Sequence, residues 1–92
     1  MISLEDCIAM CGLSEEEILA IAEHEHIPEM AAAALADYLL HRKGGAQEIR
    51  VMLVDDIRVA LRDGRTRHAA ELIGALRHFA AEHAQALRSP GG

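Results

Sequence analysis

Ninety-two residues are enough for one domain with a single modest core, which excludes multidomain machinery. Of these, 51% are apolar, yet only Tyr38 and Phe79 are aromatic, and seventeen alanines supply much of the remainder. Such a composition suits closely packed helices and disfavours sandwiches and barrels, and the net charge of −6 describes an acidic chain.

Start and stop signals divide the chain into five helices. Ser3 can cap a first helix over about 4–11, closed by Gly12. Ser14-Glu15-Glu16-Glu17 has the form of a capping box and opens a second helix over about 15–26. Ile27 precedes Pro28, which pushes it out of helical geometry, and Pro28 suits the first position of a third helix over about 28–43. Gly44-Gly45 stops that helix, and a fourth spans about 47–63. Gly64-Arg65-Thr66 turns the chain into a fifth helix over about 67–88, with Thr66 as its cap. Residues 1–88 thus form one domain, and 89–92 read as a flexible tail.

The fourth helix carries the stripe Ile49, Leu53, Ile57, Ala60, Leu61, and the fifth carries Ala69, Leu72, Ile73, Leu76, Phe79, Ala80, Leu87. With so short a turn between them, the two make an antiparallel α-hairpin. The third helix is apolar almost all round, from Met30 through the alanines to Leu40, so it is expected at the centre of the bundle. Because so short a chain has few helices with which to surround it, a second copy is expected to help, making a homodimer. The residues assigned to that interface are Met30, Ala34, Leu35, Leu39 and Leu40, with Met52 and Val59 lying off the main stripe of the fourth helix.

Charge is divided unevenly. Residues 1–41 hold nine acids and no Lys or Arg, whereas 42–92 hold nine bases against six acids. Opposite fields of this kind favour docking of one half on the other. Arg58, Arg62, Arg65 and Arg67 cluster at the hairpin turn, where contact with the acidic half is a cheaper explanation than nucleic acid. A helix-turn-helix reading fails because residues 28–41 offer no Arg or Lys to phosphate or guanine.

Several residues could bind a metal. Glu23 and His26 stand at the Glu-x-x-His spacing of carboxylate-bridged di-iron proteins, with His24 between them, but the motif occurs once where such sites need it twice. Asp37 and His41 are i, i+4, a spacing that can orient an imidazole. His83 falls inside the apolar arc of the fifth helix and needs a polar partner there. Cys7 and Cys11 could offer two soft ligands, too few for a closed site and too few for a disulfide framework. Structural alternatives stand beside each of these: a helix-end imidazole bonded to carbonyls, a solvated polar stripe, a satisfied core histidine and two small buried hydrophobes.

There is no phosphate-cradling glycine loop and no nucleophile elbow. No apolar run approaches membrane-spanning length and no basic leader opens the chain, so a reduced, cytoplasmic setting is expected. The reading is an all-α five-helix bundle acting as a small non-catalytic interaction or regulatory module, homodimeric, with possible protein partners and no cofactor. The rival reading is a helical protein that binds zinc, iron or copper through Glu23, His24, His26, His41 and His83, joined by Cys7 and Cys11.

Overall fold

Ser14 opens the first described helix through a reciprocal pair of bonds. The Glu17 amide donates to Ser14 Oγ at 3.3 Å, and Glu17 Oε1 accepts from the Ser14 amide at 2.9 Å. This is the capping box that the spacing predicts, and it satisfies two amides that a helix start leaves without partners. Ser14→Ala is therefore expected to lower stability by about 1 kcal/mol, read as a shifted urea midpoint with an unchanged slope.

A computed structural model describes residues 13–88. Among them are five helices and no strand: α1 (Glu15–Glu25), α2 (Glu29–Leu40), α3 (Gly45–Arg62), α4 (Thr66–Glu82) and α5 (Ala84–Arg88). The chain is an all-α bundle. The helix expected over 4–11, with Cys7 and Cys11, and the tail 89–92 lie outside the described residues.

Helices α2 and α3 depart from expectation at their shared corner, α2 ending at Leu40 and α3 already beginning at Gly45, and α4 departs at both ends. Helix α1 ends where expected: His26 takes the left-handed region at φ 57, and its amide donates to the carbonyls of Ala22 and Glu23. A histidine there is strained by roughly 1–2 kcal/mol, and Pro28 beyond it forbids the helix from simply running on. Arg65 occupies the cap position of α4 and no side chain bonds the first amides, so Thr66 is the first helical residue and not the cap. The expected single C-terminal helix breaks at His83 (φ −122, ψ 28), leaving α5 as a separate turn. Gln47 Nε2 donates to the Ala86 carbonyl at 3.0 Å and ties α5 to the start of α3. No glycine or proline marks this break; a long-range contact favours it.

The hairpin of α3 and α4 is present, joined by Asp63-Gly64-Arg65. Gly64 turns the corner at φ 75. The centre of the bundle, however, is α3 and not the alanine-rich helix. Among the described elements α3 packs against α1, α2, α4 and α5, whereas α2 packs against α1 and α3. Ile49, Leu53 and Ala60 of α3 meet Ile18 and Ile21 of α1 and Leu72 and Phe79 of α4 in one buried cluster. Helix α2 contributes Ala32, Ala33, Ala36 and Leu39 from one side and leaves Met30, Ala31, Ala34 and Tyr38 exposed on the other. The sequence expectation fails here for a physical reason. Alanine counts as apolar in any pattern, but its single methyl hides so little surface that leaving it in water costs almost nothing.

Where α2 turns into α3 the backbones nearly touch. A methyl group on Gly45 would sit 1.6 Å from the Leu39 carbonyl oxygen, and Gly44 before it is left-handed at φ 77. The glycine pair that reads as a stop signal is therefore also a packing requirement.

Candidate functional site

Two features stand out from the fold: an open apolar face on α2, and a row of histidines pressed against acids along α1.

The α2 face follows from its register. At roughly 100° per residue, Met30, Ala31, Ala34, Tyr38 and His41 project within one arc. Met30 is 44% exposed and Tyr38 60%, large values for an apolar and an aromatic side chain two turns apart on one helix. Arg42 lies over the Tyr38 ring at 5.7 Å from its centroid, a cation–π contact that steadies the ring at the end of the face. Arg42 also pairs with Glu48. His41 Nδ1 donates to the Asp37 carbonyl at 2.7 Å, with Asp37 Oδ1 at 3.5 Å. The i, i+4 pair thus exists, on a largely exposed surface, and its tightest bond goes to the backbone.

Not every residue assigned to an interface is open to one. Met30, Ala34 and Val59 are exposed; Leu35, Leu40 and Met52 are partly buried against the core. Leu39 is buried inside the chain's own core, because it faces α1 and α3 with the buried alanines of α2.

Along α1, acids and one imidazole meet their opposite kind on other helices. Glu23 accepts from His68 Nε2 on α4, with both of its oxygens at 2.8 Å, and Arg65 approaches it to 3.7 Å. Here the acidic and basic parts of the chain do dock on each other. His24 Nδ1 donates to Asp56 Oδ1 on α3 at 2.9 Å. Among the described residues Asp56 Oδ2 is buried without a partner. Glu17 Oε2 accepts from His78 Nδ1 on α4 at 2.7 Å. The proton affinity of His78 is raised, chiefly by that hydrogen bond and then by the Glu17 charge, with Glu82 and Glu16 adding to it and burial opposing. A cleft of about 220 Å³ lies between α1 and α4, floored by Ala20, Leu72 and Ala75 and rimmed by Glu16, Glu23, Glu71 and His68.

Among the described residues the candidate metal ligands do not gather. Glu23 faces His68 and His24 faces Asp56, while the left-handed turn carries His26 outward to solvent. His83 stacks on Phe79 with ring centroids 4.6 Å apart, and its Nδ1 donates to the Phe79 carbonyl at 3.3 Å, so a part-buried histidine is satisfied by its own helix. Among the described residues no three His, Cys, Asp or Glu side chains form a set able to hold a metal ion. His78 and Asp56 escape sequence reasoning, since their partners lie 61 and 32 residues away and no local spacing announces such pairs.

No helix among the described residues is long and apolar enough to cross a membrane. Comparison with family models, curated proteins and solved structures finds no match for the chain.

Proposed function

We propose that this protein is a small, non-catalytic interaction module that self-associates through the outer face of α2. The observation that carries the reading is the row Met30, Ala31, Ala34 and Tyr38, exposed on one side of a helix whose other side is core. Two copies of α2 crossing antiparallel at Ala34 place Met30 of each against Tyr38 of the other. That arrangement is self-complementary, as a two-fold contact must be. A thioether against an aromatic ring is favourable, and alanines at the crossing let the backbones come close. Opposed helix dipoles add to it. A reduced, cytoplasmic setting and a further protein partner belong to the same reading.

Ala34→Glu tests it, because position 34 is exposed and helix-tolerant, so the substitution leaves the fold intact. The wild-type chain is expected to sediment as a dimer in the micromolar range and the variant as a monomer of equal helicity. A wild-type chain that stays monomeric throughout that range, or a variant that still dimerises, removes the proposal.

A further inference from the structure

Glu17 is 0% exposed, and as a charged side chain in the core it needs compensation. One oxygen receives the Ser14 amide and the other receives His78, whose imidazole is the cation-forming group that bonds it among the described residues. The two partners differ in their access to water. The carboxylate is sealed in, whereas the His78 side chain is 52% exposed, so a proton reaches the pair from solvent without any helix moving.

We propose that Glu17 and His78 form a pH-sensitive latch that fastens the first turn of α1 to α4, closed while the imidazole is charged and slackened once it is neutral.

Among the described residues, the charged groups that act on His78 do so in the same direction. From α1 come Glu17 and Glu16, and from its own helix α4 comes Glu82, all of them acids that favour the protonated ring. The hydrogen bond to Glu17 is the largest of these influences. Because the folded chain holds this proton more tightly than the unfolded one, the added stability is complete below the ordinary histidine value of 6.5 and fades as pH rises through the raised folded value. Above that range the ring can still donate from Nδ1, but the charge that offset a sealed carboxylate is gone. The first turn of α1 can then relieve Glu17 by lifting and admitting water, a local opening and not a global one. Farther along α1, the His24–Asp56 and His68–Glu23 contacts hold the rest of the helix to α3 and α4.

Amide hydrogen exchange at Glu17 and Ile18, corrected for intrinsic rates, reads the latch directly, since both amides bond to Ser14. Their protection is expected to fall severalfold between about pH 5.5 and about pH 8.5, with the midpoint of the His78 imidazole titration followed by NMR in the same sample. In His78→Gln, which keeps a donor but cannot titrate, the pH dependence at these two amides should vanish. Protection that is flat across the range in the wild-type chain, or equally steep in the variant, overturns the proposal. Should the variant fail to fold, the wild-type comparison decides alone: coincident midpoints for exchange and titration support the latch, and separated midpoints sink it.

Discussion

Leu39→Glu is expected to unfold the chain and not merely to dissociate a dimer. Leu39 is 3% exposed and packs with Ala32, Ala33 and Ala36 against the α1–α3 core, where the described neighbours are apolar. A carboxylate there has no counter-charge, and an uncompensated buried charge costs about 3–5 kcal/mol. A chain of this length holds only on the order of 5–14 kcal/mol in total, so the loss takes a large share of the margin and all of it at the lower end. Far-UV circular dichroism with urea titration is the check. A cooperative transition at the wild-type midpoint would mean that α2 turns its other face inward. Set beside Ala34→Glu the result is diagnostic, because five positions along one helix the two substitutions address opposite faces and should separate folding from assembly.

Gly45→Ala is expected to be nearly as damaging, though it adds only one methyl group. The added carbon would lie 1.6 Å from the Leu39 oxygen and 2.4 Å from its carbonyl carbon. Both are backbone atoms, so no rotamer change can make room, and the α2–α3 corner must open. Overpacking of this kind costs about 3 kcal/mol, which lowers the melting temperature by roughly 12–24 °C in a domain of this size. Gly74→Ala on α4 provides the contrast. A methyl group there meets nothing within 4 Å, and replacing a mid-helix glycine should raise stability by about 0.5–1 kcal/mol. A Gly45 variant that melts within a few degrees of the wild type would show that the two helices do not meet as closely as described.

These two residues show what local pattern can and cannot reveal. Gly44-Gly45 is readable as a helix stop, but the same letters say nothing about a carbonyl from the preceding helix arriving against Gly45. Leu39 is readable as apolar, but an alanine-rich run gives no contrast between its faces, so periodicity could not say which face is buried. The histidines tell the same story. His83 was legible as a residue on an apolar arc in need of a partner, and its own helix supplies the Phe79 carbonyl. His78 was not legible, because its carboxylate arrives from a helix 61 residues away.

What the sequence alone determined is therefore mostly what acts within a few residues: an all-helical chain, the Ser14 capping box, the glycine corners and the antiparallel hairpin. Each of these depends on backbone geometry and on side chains at fixed short spacing, where interaction is guaranteed by connectivity. Only the tertiary structure decided that α3 is the hub, that α2 keeps one face open, that the last helix breaks at His83, and that acids on α1 meet imidazoles from α3's neighbour α4. Those outcomes depend on which surfaces meet after the chain has folded back on itself, and pairing energies between distant groups leave no trace in local spacing.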